Sequence, residues 1–298
     1  MNKTDIFKEL TNRKKILEDK GYKVIYIGLY GSQNYNLSDE QSDIDVKAII
    51  LPTLQDIIFR KVTSTTIECE NGNIDVKDLI TFYDVIKKGN FSYVEAIDTE
   101  YSIGDKYIKE LFKQFRPNLK SILGAMHEKR KALTHEYPSK HSEFEKWGFD
   151  PKQYHHILRL YDLLEYINTV KETRSYLVYQ EDARNFMIAE KRNKNNYTKE
   201  QVGKCSDLVI NQAKKLIPDD YKYVSANIDD DINKYIEKNI KLELLKTSPT
   251  MSAREYRTFD GNIPKKDLEK FPILQQYDGK DISYIVYESV EILWIKII

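Results

Sequence analysis

Asp43 and Asp45 stand two residues apart in Ser42-Asp43-Ile44-Asp45, within a segment, SDIDVKAIIL, whose apolar and polar residues alternate. The alternation predicts a strand with Ile44, Val46 and Ala48 on a core face and Asp43, Asp45 and Lys47 on the other. Two carboxylates on one face repel unless a cation sits between them. Hard divalent ions prefer such oxygen ligands, so Mg²⁺ is expected, two ions with Mn²⁺ as the substitute. A third acid from a neighbouring strand would complete a two-metal site, one ion activating an attacking oxygen and the other holding a leaving phosphate. Asp75 is the candidate, flanked by Ile74 and Val76 in the same way as Asp45, with Glu68 and Glu70 as rivals. Asp43, Asp45 and Asp75 are therefore the candidate metal ligands and catalytic acids.

A chain this acidic contains Asp-X-Asp by chance, and a solvated strand face would look the same. The upstream residues separate the two cases. VIYIGLY at 24–30 reads as a buried strand that stops at Gly31-Ser32, and the polar SQNYNLSDEQ after it is read as opening a helix. Glycine lets a backbone approach a phosphate, whose oxygens exposed N–H groups and the Ser32 hydroxyl could hold. Further along, Lys152, His156 and Arg159 follow at i, i+4 and i+7 of a predicted helix over 151–171 and share one face. Such a row suits a triphosphate or an RNA backbone, although a solvated basic face has the same spacing. Lys47 either neutralises phosphate or pairs with a nearby carboxylate. Arg184 and Arg192 carry the phosphate role more weakly, against ordinary salt bridging. His155 points away from His156 and is read as structural. His127, His135 and His141 lack zinc spacing. The 22 tyrosines show no stacking stripe.

The elements that must position these residues follow from periodicity. A helix is predicted over 3–19, ended by Gly21, then strands at 24–31, 42–51 and 61–69. A hairpin turn at Glu70-Asn71-Gly72-Asn73 leads into NIDVKDLI and a helix at about 79–88. From 104 the period is helical, at 104–133, 151–171, 199–216 and 228–246, with 134–150 as a connector. TSPT at 247–250 marks a boundary, and DISYIVYESVEILWIKII returns to one or two strands. The domains are thus an α/β head (1–103), a helical domain (104–246) and a small appendage with strands (247–298).

The 298 residues are 41% hydrophobic and 12% aromatic, with 47 basic residues against 47 acidic, which excludes a disordered chain. Zero net charge argues against a protein that coats nucleic acid nonspecifically. Two cysteines, Cys69 and Cys205, without metal spacing fit free thiols in a reducing compartment, although two could form one bridge. The first residues lack a signal-peptide core, and no apolar run is long enough to span a bilayer. A cytoplasmic location without membrane partners is expected.

The segment GSQNYNLSDEQSDIDVKAI resembles the signature of the DNA polymerase β-type nucleotidyltransferase superfamily. Within it, Gly31-Ser32, Tyr35-Asn36-Leu37 and Ser42-Asp43-Ile44-Asp45 are similar to the first motif of a bacterial and phage group of predicted nucleotidyltransferases, some associated with phage RNA ligases. Asn36 stands where that group has glycine. KKGNFSYVEAI at 87–97, FDPKQYHHILRLYDLLE at 149–165 and ARNFMIAEKRNKNNYTKEQV at 183–202 resemble its later segments. The resemblance covers about residues 23–220. It implies an α+β fold, a mixed β-sheet head with flanking helices plus a mainly helical body. It also implies transfer of a nucleoside monophosphate from an NTP, ATP favoured, to an acceptor: an RNA 3′ end or, as in antitoxin-like relatives, a protein hydroxyl. A catalytically silent nucleotide-binding regulator is the alternative.

Overall fold

The computed structural model describes residues 3–39, 42–136, 141–170, 176–247, 253–257, 262–287 and 291–297. Glu40 and Gln41 of the first motif, part of the expected 134–150 connector, and most of the TSPT boundary lie outside these residues. The chain divides into two compact units, Met1–Asn227 and Ile228–Ile298. The expected head and helical domain therefore share one unit, and the helix expected to close the helical domain belongs to the other. Among the described residues no helix is long and apolar enough to cross a membrane.

The fold class is α+β. In the first unit a five-stranded mixed sheet has the order β3-β4-β2-β1-β5. Its strands are β1 (Val24–Tyr30), β2 (Asp45–Ile50), β3 (Ser64–Cys69), β4 (Gly72–Asp78) and the short β5 (Ser102–Gly104). β2 runs antiparallel to β1, Tyr30 opposite Asp45, and parallel to β4, Lys47 opposite Asp75. β5 had no sequence signal, since three residues are too few to show a period.

Helix α1 (Lys3–Asp19) buries Ile6, Leu10, Arg13 and Leu17 at helical spacing. Its apolar side chains pack on Leu29, Ile44, Val46, Ala48, Ile74 and Val76 of the sheet. A short helix α2 (Leu54–Ile58) follows β2. The other sheet face is covered by α3 (Leu79–Ile86) and α4 (Phe91–Asp98). A Cβ on Gly28 would lie 2.0 Å from the Ala96 carbonyl, so glycine alone lets α4 rest directly on β1. The Tyr26 hydroxyl donates to the same carbonyl at 2.9 Å. As a result the face of β2 expected to be polar is open only at its start: Asp43 is exposed and Asp45 half-buried, but Lys47 is buried beneath α4.

The helical stretch 104–133 is two helices, α5 (Lys106–Phe112) and α6 (Leu119–Leu133), because Pro117 lacks an N–H and disfavours helix in the residue before it. The Asn118 side chain caps α6. The expected connector contains a short helix, α7 (His141–Trp147), before α8 (Pro151–Val170). Leu119, Ile122 and Met126 of α6, Ile157, Leu160 and Leu164 of α8, and Ile210 and Ala213 of α10 (Lys199–Leu216) form a second core. Helix α9 (Glu181–Lys191) lies between α8 and α10 in sequence and packs on α8.

In the second unit, α11 (Asp229–Thr247) precedes an antiparallel sheet of β6 (Ala253–Arg257), β7 (Ile282–Tyr287) and β8 (Glu291–Ile297), with α12 (Lys265–Lys270) between β6 and β7. Ile263, Phe271, Leu274, Ile282 and Tyr284 form its core. The C-terminal strands follow from composition; β6 was not expected.

One buried ion ties α1 to the acidic motif. Arg13 has no exposed surface and donates to Asn71 O at 2.8 Å, Asn73 O at 3.1 Å and Glu9 at 2.9 Å. The hairpin it grips in turn holds the motif: Asn71 O accepts from Ile44 N at 2.8 Å, and Asn73 N donates to Asp45 Oδ1 at 3.1 Å. Arg13→Ala removes a fully buried side chain and its hydrogen bonds to both carbonyls, and is expected to destabilise the first unit by about 2–3 kcal/mol. Urea unfolding measures this, and an unchanged midpoint would show that the hairpin is held without Arg13.

Candidate active site

The end of β1, the start of β2 and the helices around them line an open cavity of about 560 Å³. Gly31, Ser32, Asp43 and Asp45 line it from the sheet side, and Lys152, His156 and Arg159 from α8. Residues far apart in sequence thus face one space. Asp75 and Lys47, two other predicted site residues, do not line it. They point under α4 instead, where the Lys47 ammonium lies 2.8 Å from Asp75 and 4.1 and 4.0 Å from the Tyr30 and Tyr93 rings. Tyr93 also donates to Asp75 at 2.6 Å. Burial pushes the Asp75 carboxyl up, but Lys47, Tyr93 and Lys77 outweigh it and hold it below the usual carboxylate range. Burial lowers Lys47 despite Asp75. Of the two roles open to Lys47, the structure chooses pairing with a carboxylate. Glu68 and Glu70 are exposed on the outer hairpin and line no part of the cavity.

The acid that does join the cavity is Glu95, which is 1% exposed. Its Oε1 accepts from Gly31 N at 2.7 Å and Asn34 Nδ2 at 2.9 Å, and its Oε2 accepts from the Tyr35 hydroxyl. The Gly31 N–H, expected to face phosphate, is therefore committed to Glu95. The turn itself differs from the helix expected there. Residues 32–36 form successive turns, with Gly31 at φ 98° and Asn36 at φ 61°. Both angles lie in the left-handed region, which glycine enters freely and asparagine better than most residues. Asn36 further docks the turn by donating to Tyr179 O at 3.0 Å. Burial pushes the Glu95 carboxyl up even though Arg159, Tyr35, Gly31 and Asn34 pull it down.

Arg159 is 8% exposed and stacks its guanidinium 4.2 Å from the Tyr35 ring centre. Its Nε has no hydrogen-bond partner among the described residues, and neither has Nδ1 of His156. Burial, then the adjacent His155 ring and the positive charges of Arg159, Lys129 and Lys152, push the His156 imidazole well below its ordinary value. His155, expected to point elsewhere, also lines the cavity; its Nδ1 lies 2.9 Å from Met187 O, and burial pushes it down to about 3. Lys129 of α6 and Lys191 of α9 complete the basic lining, and neither was named from the sequence. Lys129 comes from the run HEKRKAL, whose basic residues look alike until packing selects one. Glu95 did carry a signal, a lone acid inside the apolar run Tyr-Val-Glu-Ala-Ile.

Arg184 and Arg192 serve the site by holding its rim. Arg192 donates to Asp39 at 2.7 Å, Lys191 to Ser42 at 3.0 Å, and Arg184 to Ser38 O at 3.0 Å. Burial raises Asp39, but Ser42, Arg192 and Lys191 overcome it and bring the carboxyl to about 2. Ser42 directly precedes Asp43, so this lock sets where the acidic motif begins.

Among the described residues no group of three or more His, Cys, Asp or Glu side chains is placed to hold a metal ion. No family model and no curated protein matches the chain. Among solved structures, a nucleotidyltransferase-like protein from Exiguobacterium sibiricum 255-15 aligns over 93% of this chain and 98% of its own, at 11% identity and a TM-score of 0.24. Backbone agreement at that level carries no argument about function.

The Asp39 lock has a pH signature. A carboxyl at about 2 in the folded chain and 3.8 unfolded contributes stability that is complete above pH 3.8 and lost as pH falls towards 2. After allowing for its partial exposure the contribution is on the order of 1–2 kcal/mol. Acid unfolding followed between those limits should show a shallower slope for Asp39→Asn than for the wild type. Equal slopes would mean that Asp39 titrates normally.

Proposed function

We propose that this chain is a Mg²⁺-dependent nucleotidyltransferase, moving a nucleoside monophosphate from an NTP to an acceptor hydroxyl. One observation carries the proposal: Asp43 and Asp45 share a cavity with a cationic wall that includes a buried guanidinium whose Nε has no hydrogen-bond partner among the described residues. Anionic substrate and cation would meet between them.

Two carboxylates are too few for a dedicated cage, but Mg²⁺ is commonly held by one or two carboxylates together with substrate phosphates. The donor set therefore fits an ion that arrives with the nucleotide, on Asp43 and Asp45. When bound, the ion would supply charge neutralisation at the phosphates and a lower barrier to displacement. Asp45 is held for this by Asn73 N, so its free oxygen keeps one orientation. Lys152, His156, Arg159 and Lys129 would hold the β- and γ-phosphates and stabilise the departing pyrophosphate. In the transfer, a bond forms between the acceptor oxygen and the α-phosphorus. The bond from that phosphorus to the bridging oxygen breaks, pyrophosphate leaves, and the proton of the acceptor hydroxyl passes to solvent water. Asp75, tied to Lys47 and Tyr93, is given no part in this step. The favoured acceptor is an RNA 3′ end, with ATP as the favoured donor.

The Lys47–Asp75 pair also supports a second reading, a nucleotide-binding regulator without turnover, because the strand that would offer a third acid has it neutralised. Labelled NTP incubated with Mg²⁺ and either total RNA or total protein separates the cases. Label entering RNA is expected, and label entering protein would move the acceptor class. Asp45→Asn should reduce transfer on the order of a thousandfold while the fold persists. Incorporation that survives in Asp43→Asn/Asp45→Asn would sink the catalytic assignment, and an NTP-induced thermal shift without incorporation would favour the regulator. Separately, Arg159→Met should weaken NTP binding about tenfold or more, measured by titration calorimetry.

A further inference from the structure

The two groups of cations around the cavity differ in one respect. Lys191 and Arg192 are already matched by Asp39. Lys129, Lys152 and Arg159 make no ion pair with any carboxylate among the described residues. The acids near them already accept from other donors, as Asp162, which feels Arg159, accepts from the Tyr179 hydroxyl at 2.8 Å. Glu95, whose charge is felt by Arg159, has its oxygens filled by Gly31, Asn34 and Tyr35. Asp150, which acts on Lys129, caps the start of α8 through Lys152 N at 2.9 Å and Gln153 at 3.0 Å. Glu143 of α7, in the same lining, accepts from the Ser142 hydroxyl at 2.8 Å. Positive charge is thus concentrated on the α6–α8 wall, where burial already disfavours the Lys129 ammonium and the other two cations lower it further.

A buried charge-bearing donor with no acceptor is costly, and Arg159 Nε lacks one; beside it the buried Nδ1 of the neutral His156 imidazole is also without a hydrogen-bond partner among the described residues. An anion in the cavity would relieve both that cost and the mutual repulsion of the wall. The spacing indicates what kind. From Lys152 to Arg159 the helix rises roughly 10 Å, two turns, with His156 between them. That row is too long for one phosphate group and suits several linked in a chain. The geometry points to a seat for a linear oligophosphate on the α6–α8 wall, formed by Lys129, Lys152, His156 and Arg159, that works without a metal ion. It deepens the nucleotide site proposed above by dividing it: the wall selects the phosphate chain, and Asp43 and Asp45 serve only the transfer.

Titration calorimetry of the full chain with inorganic tripolyphosphate in EDTA tests this directly. One-to-one binding is expected, weakened about tenfold or more by Arg159→Met and by Lys129→Gln. Lys129→Gln decides the matter should the buried Arg159→Met variant unfold. Asp43→Asn/Asp45→Asn should bind tripolyphosphate in EDTA at least as well as the wild type, since it removes repelling charge. Absence of binding in EDTA, binding that both wall variants retain, or orthophosphate binding as tightly as tripolyphosphate would each overturn the assignment. Failure of transfer with tripolyphosphate binding intact would instead count against the enzyme assignment alone.

Discussion

A carboxylate sealed away from water must be given hydrogen-bond donors and a nearby positive charge, and Glu95 receives both. Its donors are Gly31 N, Asn34 and Tyr35, so the turn after β1 is wrapped around it. Its positive neighbour is Arg159, stacked on the same Tyr35 ring. One buried acid from α4 therefore positions a turn of the sheet and a helix of the helical body together. Because Gly28 leaves space for α4 on β1, the knot lies immediately beside the start of β2. Without that anchor, the acids on the sheet and the cations on α8 would have no fixed separation.

Around the knot the charges are sorted by whether they have been neutralised. Lys47 and Asp75 cancel each other between two tyrosine rings, and Asp39 cancels Arg192 and Lys191 at the rim. These pairs hold elements in place. Among the described residues, the groups of the cavity that make no ion pair are Asp43 and Asp45 on one side and Lys129, Lys152 and Arg159 on the other, Arg159 acting on Glu95 without a hydrogen bond between them. Only such leftover charges are available to a ligand, since a matched pair gains little from a newcomer and loses the partner it had.

Much of the fold was legible locally. The period of SDIDVKAIIL put Ile44, Val46 and Ala48 towards the core, and the Asn-Gly in Glu70-Asn71-Gly72-Asn73 marked the hairpin. The continuous helix expected across 104–133 overlooked Pro117, which breaks it. Helices α4, α7 and α9 escaped notice because they are short and their apolar faces are incomplete in sequence. The site was legible in halves. Each half had its own spacing, the acid pair on a strand and the basic row on a helix, and no local signal related the one to the other.

The sequence alone determined which residues project from the same face of their own element, because side-chain direction along a strand or helix follows from backbone period. That suffices for Asp43 with Asp45, and for Lys152 with His156 and Arg159. It could not determine which charges would meet. Asp75 looked equivalent to Asp45 by its flanking residues, yet parallel pairing of β2 and β4 sets it opposite Lys47, and α4 closes over both. Lys129 and Glu95 entered the cavity wall only through the packing of α6 and α4. A charge's role depends on its nearest countercharge and on its access to water, and both are properties of the folded chain.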